Sequence, residues 1–398
     1  MKANQGPESE SFSCEEWGLK VALPGRGQSI GACIGLYCLL ALAIFSGSLS
    51  RSQETRQQKD EHSGSPELQQ GIALAQKGDF KKAEEAFEQA VTLHPRDARA
   101  LTALGQVQEQ LGKLPESIEI FRKVIELDPR SADAHENLGI ALGDRSDLAA
   151  ALKESSIAIR LAPGSASAHF LRGRLLGDLG KHEEAKAEFR KALDIAPEYA
   201  QALYCWAALE GDEQNIAMQG NLLERYVRLR PDQAAVFDQL GHVLEEEQRE
   251  SEAVIAWRRA VALNPQYSEA TYSIARALRR TDPVESKRLM VRVQELERDQ
   301  RTIDQVNQLG NQANAKMYEA NYKGAIDDLK NAIVLCGRCT LLGFLEKNLG
   351  LAYCHAGQLD AGERELKISE ALIPDDSGVK AALQIVEQQR RQALTHSE

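Results

Sequence analysis

Aromatic residues are scarce in this 398-residue chain, and positive charge is outnumbered by negative charge. Phe, Trp and Tyr make up 5% of the sequence, and 59 Asp and Glu face 48 Lys and Arg, for a net charge of −11. Few aromatics with abundant alanine, leucine and glutamate favour helices packed through small residues. The net negative charge argues against nucleic acid as a partner, because phosphates repel such a surface, and against peripheral docking on anionic lipid.

The chain also lacks the short motifs by which many enzymes bind phosphate or activate a nucleophile. It contains neither a phosphate-binding glycine loop nor a nucleophile elbow. We therefore expect no enzymatic activity, no cofactor and no small-molecule substrate.

Residues 30–47, "IGACIGLYCLLALAIFSG", form a long uncharged apolar run. As a helix it would span ~27 Å, close to the hydrocarbon core of a bilayer. A long, partly acidic segment, residues 1–29, precedes the run, which favours an uncleaved transmembrane anchor over a signal peptide. Cleavage near Ser46 or Ser48, giving a secreted or periplasmic soluble protein, stays open as the alternative.

The side of the membrane on which the rest of the chain lies is left open by the flanking charges. Lys20 and Arg26 precede the apolar run, and Arg51, Arg56 and Lys59 follow it, so the positive residues are nearly balanced. Residues 48–63 are polar, without a face to bury, and are predicted to form a flexible linker.

Half of the chain's twelve prolines recur at one fixed interval. They lie 34 residues apart, at Pro95, Pro129, Pro163, Pro197, Pro231 and Pro265. Proline cannot donate the next helical hydrogen bond and restricts the residue before it. The spacing therefore predicts helical hairpins, each ended by a proline.

Small and large residues follow the same period inside each repeat. In the repeat that begins at Ala234, the pattern is Phe237, Leu240, Gly241 and Leu244 on a first helix, Ala253, Trp257 and Ala260 on a second, and then Pro265. These spacings resemble the tetratricopeptide repeat. The resemblance implies an all-α fold, a right-handed solenoid of about nine helical hairpins. The apolar run predicts one transmembrane helix before this solenoid.

Nine repeats are predicted over residues 64–376, and a C-terminal capping helix and tail over residues 377–398. The predicted starts are residues 64, 98, 132, 166, 200, 234, 268, 306 and 343. The seventh interval is longer, and we expect its four extra residues to lengthen the second helix of that repeat by one turn. That helix is predicted to begin at Asp282 and Pro283, as its N-cap and first residue.

The resemblance implies that the first helices line a concave groove that binds peptide segments of other proteins. Amides at the sixth position of a repeat would hold a ligand backbone, and rings beside arginines would hold its side chains. The predicted partner-binding residues are Asn137, Phe170, Arg174, Tyr204, Gln239, Tyr272, Arg276 and Asn311. Two alternatives stay open: ordinary surface amides, and rings that lean into neighbouring helices as core.

Cysteine and histidine pairs suggest a second kind of site. Cys336 and Cys339, in "CGRC", could form a local disulfide, a thiol-redox pair or half of a metal site. A disulfide in an oxidising compartment, or two free thiols elsewhere, is favoured over redox catalysis. His135 and His169 occupy equivalent positions of successive repeats, where polar packing is favoured over a metal site.

Taken together, these patterns predict a non-enzymatic scaffold or adaptor that binds other proteins near a membrane. Residues 30–47 would hold it at that membrane. The soluble secreted or periplasmic binder is the first alternative. The thiol-redox protein is the second.

Overall fold

The computed structural model describes residues 65–395, in which eighteen helices follow one another and no strand occurs. The predicted tail 1–29, apolar run 30–47 and linker 48–63 lie outside the described residues. No helix in the described part of the chain is both long enough and apolar enough to cross a bilayer.

The helices have the lengths expected of short helical hairpins, with one exception near the C-terminus. In chain order they are α1 Pro66–Gln76, α2 Phe80–Leu93, α3 Ala98–Gln110, α4 Leu114–Leu127, α5 Ala132–Asp144, α6 Leu148–Leu161, α7 Ala166–Asp178, α8 His182–Ile195, α9 Ala200–Asp212, α10 Ile216–Leu229, α11 Ala234–Glu246, α12 Glu250–Leu263, α13 Ser268–Ala277, α14 Pro283–Tyr318, α15 Tyr322–Cys336, α16 Leu342–His355, α17 Leu359–Leu372 and α18 Ser377–Thr395.

The chain divides into two compact halves, which meet in sequence between Pro231 and Asp232. The N-terminal half contains α1–α10, which are five helical pairs. The C-terminal half contains α11–α18.

Each recurring proline ends a second helix, as the sequence predicts. The helices α2, α4, α6, α8, α10 and α12 all end two residues before the proline. At the other end of many helices, a polar side chain caps a free backbone N–H group. Ser131 and Ser165, for example, accept hydrogen bonds from the backbone N–H groups of Ala134 and Ala168.

Glycines in the first helices allow the two helices of a repeat to pack closely. A Cβ atom added to Gly173 would lie 2.7 Å from the Phe189 ring, and one added to Gly241 would lie 2.3 Å from the Trp257 indole nitrogen. Both aromatic side chains are almost completely buried. The small residue on the first helix and the large one on the second are thus complementary.

The alanines at one equivalent position near the start of the second helices are fully buried. They are Ala83, Ala151, Ala185, Ala253 and Ala325. The N-terminal core also joins one repeat to the next, because Phe87 of the first repeat shares a hydrophobic cluster with Leu101 and Leu104 of the second.

One long helix replaces the predicted boundary between the seventh and eighth repeats. Asp282 caps α14 by accepting a hydrogen bond from the Glu285 backbone N–H, with Pro283 as its first residue, as predicted. The helix then continues without a break for 36 residues to Tyr318. The expected one-turn extension is therefore wrong: the second helix of the seventh repeat and the first helix of the eighth are continuous.

The last helix, α18, begins at Ser377, where the sequence predicts a capping helix. Val379, Ala382 and Val386 are buried on one side of it. Two of these, Ala382 and Val386, share a hydrophobic cluster with Leu366 of α17. The helix thus covers the apolar side of the pair before it.

Candidate partner-binding face

In the N-terminal half, the first helices of successive repeats lie beside one another. Each of α1, α3, α5 and α7 approaches the next first helix in the series, whereas the second helices contact mainly first helices. The solvent-accessible sides of α1, α3, α5, α7 and α9 therefore form one row, called here the first-helix face. Four predicted partner-binding residues lie on these helices, namely Asn137, Phe170, Arg174 and Tyr204.

Phe170 does not belong to an exposed site. Its side chain is only 3% exposed. Its ring centroid lies 5.2 Å from that of Tyr199 and 6.0 Å from that of Phe189. The expectation of an exposed ring is wrong here, because the side chain leans into the core between its own second helix and the start of α9.

Arg174 is also buried rather than displayed, with 6% exposure. Its Nη1 lies 3.1 Å from the Asp144 Oδ1 on the preceding first helix. The guanidinium group therefore forms an ion pair inside the face, and the expectation that it reaches outward toward a ligand is wrong.

The other two predicted residues of this half are half-buried. Asn137 lies midway along α5. Tyr204 lies on α9, with its ring centroid 5.4 Å from that of Tyr226. Both side chains retain surface that a ligand can contact, and their binding roles remain predictions.

In the C-terminal half the predicted residues are more exposed. Tyr272 on α13 is 47% exposed, and Gln239 on α11 and Asn311 on α14 are exposed as well. Arg276 forms a surface ion pair with Glu245 of α11, its side chain 48% exposed. These four residues remain available to a partner, and their binding roles also remain predictions.

The first helices of the N-terminal half carry an excess of acidic side chains. Its five helices carry eight acidic and three basic side chains, whereas the five second helices carry twelve and eleven. The first-helix set is Glu67, Glu109, Asp133, Glu136, Asp144, Asp178, Glu210 and Asp212, against Arg99, Arg172 and Arg174. Negative charge is thus concentrated on the first-helix side.

Three of these carboxyl groups surround Arg174 from successive first helices. Burial and the negative charge of Asp144 raise the pKa of Glu109 to about 8, although Arg174 opposes the shift. Burial raises the pKa of Asp178 too; Arg174 lowers it and Asp144 adds to the rise. One guanidinium group therefore does not neutralise the carboxyl groups of Glu109, Asp144 and Asp178.

A second acidic position lies nearer the start of the same helices. The Ser167 hydroxyl on α7 donates a hydrogen bond to the Glu136 Oε2 on α5, at 2.9 Å. Burial nevertheless raises the pKa of Glu136, and the charge of Asp133 adds to the rise. The ionised form of the Glu136 carboxyl group is therefore disfavoured as well.

The two histidines are held by carboxylates of their own repeats. His135 Nδ1 lies 2.7 Å from the Glu154 Oε2, and His169 Nδ1 lies 2.6 Å from the Glu188 Oε2. No sequence pattern pointed to these carboxylates. Within the described residues, no group of three or more His, Cys, Asp or Glu side chains is placed to hold a metal ion.

The cysteines of "CGRC" form a disulfide at the end of α15. Cys336 and Cys339 are bonded across a turn at Gly337, whose φ is 60°. Burial raises the pKa of the Cys354 thiol on α16, which disfavours its reactive thiolate. The bond therefore closes a short turn between α15 and α16.

Sequence comparison supports the repeat family directly over part of the chain. Models of the tetratricopeptide repeat match residues 68–132 and residues 166–199. Together with the helical pairs of the structure, these matches support the tetratricopeptide repeat family and an all-helical solenoid fold. No curated protein sequence matches the chain.

Solved structures of other repeat proteins resemble parts of the chain. PilW, described as a widely conserved type IV pilus biogenesis factor, is 18% identical, with a TM-score of 0.46 over 53% of this chain and 96% of its own. PilF of Pseudomonas aeruginosa is 21% identical, with a TM-score of 0.44 over 51% and 93%. A thermophilic TPR protein of Thermus thermophilus is 22% identical, with a TM-score of 0.40 over 45% and 97%.

Sequence reasoning did not identify the carboxyl groups around Arg174. The signal was present, because residues 144 and 178 are one repeat of 34 residues apart and residue 109 precedes residue 144 by one repeat and one residue. Side chains one repeat apart on neighbouring first helices lie side by side. A search for acidic residues at the repeat interval would have found them.

Proposed function

We propose that this chain is a non-enzymatic scaffold that holds segments of partner proteins on its first helices. The observation that carries the proposal is the row of adjacent first helices in the N-terminal half, which keeps half-buried polar side chains such as Asn137 and Tyr204 at its surface.

The test compares first-helix and second-helix variants of the full-length chain. Asn137→Ala with Gln239→Ala, at polar first-helix positions, should weaken capture of a partner while leaving the melting temperature nearly unchanged. Arg122→Ala with Lys123→Ala, at exposed positions of α4, is the control and should capture the partner normally. Equal losses in the two variants would contradict the proposal, as would a melting temperature that falls with the first-helix changes.

We further propose that residues 30–47 anchor the chain as a single membrane span and that residues 48–63 tether the helices to it. The disulfide supports a location of the helices on an oxidising side of the membrane, because disulfides persist there and are rare in the reducing cytosol. The mass of the mature chain in the membrane fraction tests the anchor. A soluble chain that lacks residues 1–47 would replace it with the secreted or periplasmic alternative.

A thiol-redox role is tested by replacing both disulfide cysteines. Cys336→Ser with Cys339→Ser should leave partner capture intact if the bond only closes the turn after α15. Loss of partner capture by a variant that melts like the parent would instead favour the redox alternative.

A further inference from the structure

The first-helix face of the N-terminal half has more negative charge than its own residues neutralise. Glu210 is buried and accepts hydrogen bonds from Trp206 and Asn215, so it is satisfied internally. Arg174 is the cation that acts on the carboxyl groups of Glu109 and Asp178, and it already pairs with Asp144. This group of four side chains carries a net charge of about −1 while Glu109 is protonated, and of about −2 once Glu109 ionises above its pKa of about 8.

These three carboxyl groups lie on three consecutive first helices, α3, α5 and α7. They are accessible as well, since Glu109 and Asp144 are half-buried and Asp178 is exposed. Partial desolvation penalises the ionised forms of Glu109 and Asp178, and the charge of Asp144 adds to that penalty for both. A further positive charge at this point would relieve the penalty.

We propose that the first-helix face of the N-terminal half binds a basic, extended segment of a partner protein, and that an arginine or lysine side chain of that segment is seated beside Glu109, Asp144 and Asp178. This inference rests on the proposed scaffold function and names the chemistry of its partner. Charge complementarity carries it: the excess negative charge is on the first helices, whereas the second helices of the same half are nearly balanced.

A cationic side chain fits this place better than a metal ion. In the part of the chain that the structure describes, no set of three or more acidic, histidine or cysteine side chains converges closely enough to hold a metal. A guanidinium or ammonium group needs no such convergence, because it can donate hydrogen bonds to carboxylates on separate helices. The half-buried Glu136, near the start of α5, could pair with a second basic residue of the segment.

The direct test measures binding of a short blocked peptide of alternating alanine and arginine to the full-length chain, by fluorescence anisotropy. The matched probe replaces each arginine by citrulline, which keeps the shape and removes the charge. We expect the citrulline peptide to bind about tenfold or more weakly, because each charge-assisted hydrogen bond is lost or weakened. Equal binding of the two peptides would overturn the proposal.

Variants of the chain locate the binding site. Glu109→Gln with Asp178→Asn should weaken the arginine peptide about tenfold. Glu119→Gln with Glu126→Gln, at exposed positions of α4, removes the same charge from a second helix and should change affinity less than about twofold. If both variants weaken binding alike, attraction is merely to net charge and the proposal fails. If the first variant unfolds, the single variant Asp178→Asn, at an exposed position, is compared with the α4 control instead.

The pH dependence gives an independent readout. The charged groups that act on Glu109 are Asp144 on α5 and Arg174 on α7. A cation bound beside Glu109 favours its ionised form, so binding of arginine releases a proton, and affinity should rise through the Glu109 pKa of about 8. Arginine itself does not titrate there. The rise should be absent in Glu109→Gln, and a rise of equal size in that variant would contradict the assignment.

Two further outcomes separate this inference from the scaffold proposal. In the first, a photo-reactive residue at position 137 crosslinks acidic and basic peptides equally well. That result would contradict the proposal of a basic segment but would be compatible with the proposed scaffold function. Absence of any crosslink would count against both. If the arginine peptide binds only after deletion of residues 48–63, the occupant is the chain's own segment with Arg51, Arg56 and Lys59, and the proposal of a partner is wrong.

Discussion

At the scale of single residues, glycines determine how closely the two helices of a repeat approach. Two glycines of α7 show the difference. A Cβ atom added to Gly173 would overlap the Phe189 ring at 2.7 Å, whereas one added to Gly177 would have its nearest neighbours at 4.0 Å. The first glycine is required by packing, and the second is not.

Replacing each of these glycines by alanine should therefore have opposite effects. Gly173→Ala should lower the free energy of unfolding by about 1–3 kcal/mol, because the added methyl group overpacks the core. Gly177→Ala should raise it by up to ~1 kcal/mol, because alanine is the better helix former. Urea denaturation followed by circular dichroism measures both. Equal effects of the two changes would contradict the packing described here.

Glu109 should make the stability of the folded chain depend on pH. Its pKa is raised from the ordinary value of 4.5 to about 8 in the folded state. Between these values the folded chain holds a proton that the unfolded chain has lost, so this group's contribution is complete below the lower value and is lost as pH rises through about 8. Glu109→Gln should therefore melt with a smaller decrease from mildly acidic to mildly alkaline pH than the parent chain. An unchanged decrease would show that Glu109 titrates normally.

The fifth position of the repeat shows what a sequence pattern predicts at this scale and what it does not. Phe170 and Tyr272 share that position, and both are aromatic rings on first helices. The structure buries Phe170 against Tyr199 and Phe189 but leaves Tyr272 exposed. Repeat position specifies the helix face; exposure depends on the side chains that neighbouring elements bring to that face, which the period does not specify.

At the scale of helices, the recurring prolines are sufficient to predict where each second helix of the first six repeats ends. The long helix α14 is not predicted, because the start of the eighth repeat follows from counting rather than from a helix-ending residue. Residues 284–309 contain neither proline nor glycine. A helix without such a residue, and with apolar groups to bury at both ends, continues.

A proline placed in the middle of α14 tests its continuity. Gln300 is exposed there, and its side chain donates a hydrogen bond to the Asp304 carboxylate on the next turn. Gln300→Pro should cost about 3 kcal/mol, because it removes a helical hydrogen bond and clashes with the preceding turn. Gln300→Ala, the control for the lost side chain, should be nearly neutral. If the proline variant melts like the alanine variant, the helix is broken near residue 300.

At the scale of the whole molecule, the proposed function assigns separate tasks to separate parts of the chain. The first helices would bind the partner, and the apolar segment 30–47 would hold the chain at a membrane. Residues 48–63 would be a tether that lets the helices reach a partner away from the membrane surface. The tasks are separable by experiment: deleting residues 1–47 should abolish membrane association while leaving affinity for a bound segment unchanged. A loss of both would show that the N-terminal region takes part in binding.

The most direct test of the central claim is site-specific photo-crosslinking of the full-length chain in its native membrane. A photo-reactive amino acid is placed at Asn137 and at Gln239 on first helices, and at Lys123 and Ile255, which are exposed on second helices. We predict that each of the two first-helix positions crosslinks a partner protein and that the second-helix positions do not. Partner crosslinks confined to positions 123 and 255, or equal at all four, would contradict binding on the first helices.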